Sequence, residues 1–267
     1  MLRILFLGDI VGEPGRKAVI GHLAAIRQAR GIDFVIANGE NAAGGRGITP
    51  KISIDLLRAG VAVVTTGDHA WDQAEIIPYL PTEPRLLRPI NYPPGTPGQG
   101  SVVLDTAKGK VAVINAQGQV FMQPPLENPF LGVAAEVERL KAAEGVRVVF
   151  VDFHAEATSE KIAFARSLDG QVSAVLGTHT HVQTADERVF PGGTAFLCDA
   201  GMCGPVDSVL GREIRPVVER FRTQLPRRFP VAGGIVGLRG AIIDIDEESG
   251  RALAIERLAE DFEPDAE

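Results

Sequence analysis

Cysteine is nearly absent from this chain. There are two in 267 residues, Cys198 and Cys203, too few for a disulfide framework, and they read as free thiols in a reducing compartment. No apolar stretch approaches the length of a membrane span, and Met1-Leu2-Arg3-Ile4 runs straight into a strand pattern without the marks of a signal peptide. The expected address is cytoplasmic. Positive charge is also in deficit: the formal net charge is -7, which argues against an extended nucleic-acid surface because such a surface needs a basic face. A small local basic patch stays compatible with that balance. The chain carries 45% hydrophobic and 23% charged residues, an ordinary proportion for an enzyme-like domain able to bury a substantial core. There is no internal repeat and no dividing linker, so residues 1–267 are expected to form a single domain.

Six apolar runs each stop at a side chain able to bind metal. They are Leu5-Phe6-Leu7-Gly8-Asp9, Phe34-Val35-Ile36-Ala37-Asn38-Gly39-Glu40-Asn41, Val61 to Asp68-His69, Val111 to Asn115, Val148 to Asp152-Phe153-His154, and Val172 to Gly177-Thr178-His179-Thr180-His181. Continuous β-branched and leucine runs of this length suit strands buried on both faces. In open α/β sheets, ligands collect beyond the carboxyl ends of the strands, so the pattern delivers Asp, Glu, Asn and His to one rim.

Amphipathic segments alternate with these runs. Helices are expected from Arg16 to Arg30, Pro50 to Ala59, Trp71 to Leu80, Leu131 to Glu144, Ser159 to Leu168 and Arg212 to Leu225, the last bent at Pro216 or beginning after it. The end of the chain reads as two strands, around Gly234–Leu238 and Ala241–Asp246, and a return strand after Glu248-Ser249-Gly250. Glu260 to Glu267 is expected to fray. Pro89 to Gly100 and Gln117 to Phe130 are too rich in proline and glycine for regular structure; the second stretch suits a pocket lid or a subunit contact equally.

Four of the five histidines fall at strand ends: His69, His154, His179 and His181. The His-x-His pair alone fits surface or core histidines as well as ligands, although imidazole is the commonest protein ligand for borderline divalent cations. Charge adds a second argument. If Asp9, Glu40 and Asp68 converge, pairs about 4 Å apart repel by roughly 4 kcal/mol at an effective dielectric near 20, and protons or cations must neutralise them. Two divalent cations, a binuclear centre, are the economical answer.

Taken in order, Gly8-Asp9, Gly39-Glu40-Asn41, Gly67-Asp68-His69, His154 and Gly177-Thr178-His179-Thr180-His181 resemble the five motifs of the calcineurin-like metallophosphoesterases. The fuller strings Gly8-Asp9-Ile10-Val11-Gly12, Asn38 to Gly45 and Asp199 to Pro205 are similar to the YmdB-like branch. The resemblance implies a four-layer α/β/β/α sandwich of two mixed sheets and a phosphoesterase, foremost a phosphodiesterase of 2′,3′-cyclic nucleotides. It implies two metal ions, iron and/or manganese. One takes Asp9, His181, Asn41 and a share of Glu40; the other takes Glu40, Asp68, His154 and His179. It puts a metal-bridging hydroxide in line with phosphorus and makes His69 the general acid. Arg46 is the candidate substrate-binding residue. A small phosphoester or nucleotide is the implied partner, with no membrane, and self-association into a homo-oligomer is compatible with the chain.

Asp68 departs from the family pattern, which has a neutral Asn there. Two divalent cations with three carboxylates leave formally +1 rather than +2 for a phosphate, so a trivalent ion such as ferric iron, weaker phosphate binding, or a proton kept on Asp68 must follow. Among secondary candidates, Asp152 reads first as an ordinary strand-end carboxylate, and Asp72 suits either orienting His69 or starting a helix. Two other readings compete with a phosphoesterase. A non-hydrolytic Rossmann-type nucleotide-binding module is poorly served, since Gly8, Gly12 and Gly15 miss the dinucleotide-binding spacing. A scaffold with a structural metal lacks thiolates in its ligand motifs.

Overall fold

A computed structural model describes residues 1–263. In chain order its strands are β1 (Leu2–Leu7), β2 (Asp9–Ile10), β3 (Phe34–Asn38), β4 (Val63–Thr65), β5 (Ser101–Thr106), β6 (Gly109–Gln117), β7 (Val148–His154), β8 (Ala174–Thr178), β9 (Arg188–Val189), β10 (Ala195–Leu197), β11 (Met202–Pro205), β12 (Val236–Ile245) and β13 (Ala252–Phe262). The helices are α1 (Gly12–Arg30), α2 (Pro50–Arg58), α3 (Ile76–Tyr79), α4 (Pro129–Glu144), α5 (Thr158–Ser167) and α6 (Ile214–Thr223). Among the described residues no helix is long and apolar enough to cross a membrane.

The strands form two mixed sheets. One runs β2-β11-β12-β1-β3-β4, with β13 on the other edge of β12; the second runs β5-β6-β7-β8-β10-β9. Within the first, β1, β3 and β4 are parallel. Within the second, β6, β7, β8 and β10 are parallel. Strand alternation builds the layers. Ile4 and Phe6 of β1 face inward to join Val113, Phe150 and Leu176 of the second sheet in a shared core, where the Phe6 and Phe150 rings lie 5.0 Å apart. Leu5 and Leu7 face outward, against Val19, Leu23 and Ile26 of α1 and Leu56 of α2. On the far side, α4 and α5 cover the second sheet through Val133, Val137 and Phe164. The result is the expected α/β/β/α sandwich.

Local chemistry sets the helix ends. Gly31 closes α1 and Gly145 closes α4, both in the left-handed region. Thr49 accepts from the Ile52 amide at the start of α2, with Pro50 following. Helix α6 does not begin after Pro216 as expected but at Ile214, with Pro216 absorbed in the first turn, where its missing N–H has no helical partner to lose.

Several expectations are corrected. The segment from Trp71 to Leu80 is helical only from Ile76 to Tyr79, followed by a 3-10 turn; residues 67–75 instead turn tightly, with Ala70 N donating to Gly67 O and Asp72 N to His69 O. Ser101–Thr106 is an edge strand paired with β6. The two strands expected around Gly240 are one, β12, and Glu260–Phe262 belongs to β13, held by the Val236–Phe262 register and by stacking of Phe262 on His22 at 3.8 Å. The rest of the tail expected to fray, residues 264–267, lies outside the described residues.

Gly240 explains why β12 is continuous. A Cβ there would collide with the Phe6 carbonyl oxygen, so the glycine permits close approach to β1 instead of marking a turn. Gly240→Ala is expected to lower unfolding stability by about 1–3 kcal/mol or more, as overpacking does. A denaturant midpoint unchanged from the parent would refute this.

Candidate metal centre

The carboxyl ends of β1, β3, β4, β7 and β8 meet at one rim. Asp9 follows β1, Glu40 follows β3, Asp68 follows β4, His154 ends β7, and His179 and His181 follow β8. Glu40, Asp68, His154 and His179 each place one ligand atom within 4.8 Å of the others. His154 Nε2 lies 2.9 Å from Asp68 Oδ1, 3.2 Å from Glu40 Oε1 and 3.0 Å from His179 Nδ1. Beside this cluster, His181 Nε2 is 3.2 Å from Asn41 Oδ1 and 4.0 Å from Asp9 Oδ1. Asp9 Oδ1 is fully buried and has no hydrogen-bond partner. Gly67 makes room for the cluster, since a Cβ there would run into the His154 ring and Glu40 Oε2.

Each of the three clustered histidines has its outward nitrogen occupied. His154 Nδ1 lies 2.9 Å from Thr178 Oγ1, whose own proton goes to Asp152 Oδ1 at 2.7 Å. His181 Nδ1 faces the Leu210 carbonyl at 3.2 Å, and His179 Nε2 faces Glu156 Oε2 at 3.3 Å. In each case the outer nitrogen has an acceptor for its N–H, so that the inward nitrogen is the one able to offer a lone pair to a metal once it gives up its proton. Inward-facing nitrogens, converging carboxylates and the unpartnered Asp9 oxygen together fit divalent cations.

Electrostatics gives the same reading. Burial disfavours a charged His154, but the carboxylates of Glu40 and Asp68 outweigh it and raise its pKa well above the ordinary value. Burial also works against an ionised Asp68, yet hydrogen bonds from His154 and His179 push its carboxyl far below the usual range. Of the three ways to accommodate Asp68, a retained proton is the one this geometry opposes. Burial raises Asp9.

His69 stands at the edge of the cluster. Its backbone amide donates to Glu40 Oε2 at 3.4 Å, and its ring Nδ1 faces Asp72 Oδ2 at 3.2 Å. Arg46 Nε holds the same Asp72 oxygen at 2.8 Å, so Arg46 meets the cluster only through Asp72 and His69. Asp72 therefore orients His69 and starts no helix.

Two arrangements escaped sequence reasoning. Asp152 is no ordinary strand-end acid: besides Thr178 it accepts from Thr65 Oγ1 and from Asn38 Nδ2 at 3.1 Å, and burial raises its carboxyl to about 6. Its place two residues before His154 was the available signal. The second is an ion pair, Lys161 Nζ to Asp199 Oδ2 at 2.7 Å, with both side chains 1% exposed. Asp199 also accepts from the Thr180 amide at 3.1 Å, between the two ligand histidines. His179 (φ 101°) and His181 (φ 65°) are both left-handed, a conformation uncommon for histidine and held here by these contacts. Nothing in the sequence around Lys161 distinguishes it from a surface lysine. Cys198 and Cys203 are buried free thiols, pushed by burial up to about 11 and about 12.

Comparison with known proteins follows this geometry. A protein of Bacillus subtilis strain 168 named 2′,3′-cyclic-nucleotide 2′-phosphodiesterase is 47% identical over 257 residues, covering 96% of each chain. The crystal structure of a hypothetical protein from Thermus thermophilus matches with a TM-score of 0.90 at 42% identity, covering 98% of this chain and 100% of that one. A crystal structure described as a novel phosphatase from Mycoplasma pneumoniae matches with a TM-score of 0.92 at 32% identity, covering 99% and 95%. The family model for YmdB-like proteins matches residues 5–258, and the chain belongs to that family.

Proposed function

We propose that residues 1–267 act as one catalytic unit, a cytoplasmic phosphodiesterase that opens 2′,3′-cyclic nucleotides at the 2′ oxygen. The observation that carries this reading is the convergence of carboxylates and inward-turned imidazole nitrogens on one rim. Its support is 47% identity over 257 residues to a protein with that named activity. Two cations, iron and/or manganese, would be held by Asp9, Asn41, His181, Glu40, Asp68, His154 and His179. Bound there, they would polarise the phosphoryl oxygens as Lewis acids and lower the pKa of water to about 7.

The chain's own residues do the rest. Asp72 accepts the His69 Nδ1 proton and leaves Nε2 for the substrate. As a water oxygen that has given up one proton to solvent bonds to phosphorus and the P–O2′ bond breaks, His69 Nε2 gives its proton to O2′, yielding a 3′-monoester. General acid catalysis of this kind contributes about 10²–10⁴ in rate. Arg46 braces Asp72 and, with its side chain 64% exposed, is the residue offered to a substrate phosphate.

Elemental analysis of the purified protein, paired with a panel of cyclic and linear nucleotides with and without chelator, tests the reading. Chelator-sensitive opening of 2′,3′-cyclic nucleotides is expected, and turnover indifferent to chelation would refute it. His69→Ala is expected to keep its metal and lose about 10²–10⁴ in turnover on esters with poor leaving groups, while a nitrophenolate ester, which needs no proton, is largely spared. Equal loss on both would remove His69 from the acid role. Glu40→Gln is expected to lose metal together with activity; a variant with parental metal content would show that Glu40 is not shared.

A further inference from the structure

One buried carboxylate touches nearly every strand that feeds the cluster. Asp152 Oδ1 accepts from Thr178 Oγ1 at 2.7 Å, and its Oδ2 accepts from Asn38 Nδ2 at 3.1 Å and from Thr65 Oγ1. Asn38 ends β3, Thr65 ends β4, Thr178 ends β8, and Asp152 itself lies on β7. Glu40 follows two residues after Asn38, Asp68 three after Thr65, His154 two after Asp152 and His179 one after Thr178. Asn38, Thr65, Asp152, His154 and Thr178 are all 0% exposed, so water does not compete for these bonds. Burying a carboxylate among uncharged partners is unfavourable, and neutral side chains would tie the strands together with less desolvation. A neutral amide, however, cannot accept through both of its ends.

We propose that Asp152 is the positioning residue of the metal centre, a two-sided acceptor that fixes which ring nitrogen His154 presents to the cation and where the Glu40 backbone stands. The assignment rests on the metal-centre reading given above. Two short chains of hydrogen bonds carry it. In the first, Thr178 has one hydroxyl proton and donates it to Asp152, so its lone pairs face His154 Nδ1 at 2.9 Å and that nitrogen carries a hydrogen. The nitrogen left for a cation is Nε2, which lies 2.9 Å from Asp68 Oδ1 and 3.2 Å from Glu40 Oε1. In the second, the bond from Asn38 Nδ2 to Asp152 fixes the plane of the Asn38 amide, whose Oδ1 accepts the Glu40 backbone N–H at 3.1 Å.

Replacing Asp152 by asparagine keeps the shape and reverses the first chain. Asn38 Nδ2 can only donate, so the new amide oxygen stays on that side and the new NH2 group faces Thr178. Thr178 must then turn its own proton towards His154 Nδ1, which puts the ring hydrogen on Nε2, where the cation binds. Acceptors behind a metal-ligating histidine ordinarily govern affinity by about 10–100-fold.

Manganese(II) binding to the full chain, followed by the electron paramagnetic resonance signal of the free ion, reads this role without turnover. Asp152→Asn is expected to bind manganese about 10–100-fold more weakly than the parent. Thr178→Val, which lacks the hydroxyl, is expected to lose affinity in the same range, whereas Thr178→Ser, which restores it, is expected to bind like the parent. The thermal transition of each metal-free variant is measured alongside. A folded Asp152→Asn chain with parental manganese affinity, even with a lowered transition, overturns the assignment and leaves the metal centre standing, because it shows a strand tie alone. Equal loss in Thr178→Val and Thr178→Ser also overturns it, and that pair decides the question if Asp152→Asn does not fold. A parent that takes up no manganese overturns the metal centre and this assignment with it.

Discussion

Everything at the rim depends on holding buried like charges together. Asp9 and Glu40 are 0% and 1% exposed and Asp68 is mostly covered, while effective desolvation costs several kcal/mol for each buried ion. A fold of ordinary marginal stability cannot sustain that with packing alone. Burial works against a charged His154, but the carboxylates of Glu40 and Asp68 outweigh it and raise its pKa, so the imidazole answers part of their charge. Cations perform the same neutralisation more completely, because one ion answers several carboxylates at once. The cluster is thus both the most expensive part of the structure and the part that fixes its chemistry.

The two sheets make this arrangement attainable. Neither supplies enough ligands alone: β1, β3 and β4 of the first deliver the carboxylates, and β7 and β8 of the second deliver the histidines. Packing the sheets face to face through Ile4, Phe6, Val113, Phe150 and Leu176 aligns the carboxyl ends of the two parallel sets. The shared hydrophobic core therefore sets the spacing of the rim carboxylates and imidazoles, although its members lie well below the rim. Phe6 illustrates the coupling, since it packs on Phe150 from a position three residues before Asp9.

The residues that gather at the rim were legible in the sequence because buried parallel strands leave an unbroken apolar signature, and a polar residue that ends such a run stands out. Asp9, Glu40, Asp68, His154, His179 and His181 all carried that mark. The elements that escaped notice lack it. Ser101–Thr106 is a half-buried edge strand that follows a loop rich in proline and glycine, and its apolar run is too short to stand out. Gly240 resembles a turn residue until its closeness to the Phe6 carbonyl is known. The helix expected from Trp71 yielded to a tertiary demand, because the turn through residues 67–75 must carry His69 past Glu40 and return Asp72 to its ring. Lys161 is hardest to foresee: a helical lysine is ordinarily solvated, and only the carboxylate of Asp199, from a distant segment, allows it to be buried.

That buried pair also accounts for the shape of the His179–His181 loop. Two successive ligands on one turn must bring different ring nitrogens inward, Nδ1 of His179 and Nε2 of His181. The backbone meets this requirement by placing both residues in the left-handed region, where each costs on the order of 1–3 kcal/mol. Such a loop relaxes unless something rigid holds its middle. Asp199 does so through the Thr180 amide, and Lys161 fixes Asp199 from α5 at a depth where removing either charge would leave the other unpaired. The strain in the ligand loop and the ion pair beneath it are two sides of one constraint: geometry precise enough for metal binding must be set before the metal arrives, and only a buried, mutually dependent contact is stiff enough to set it.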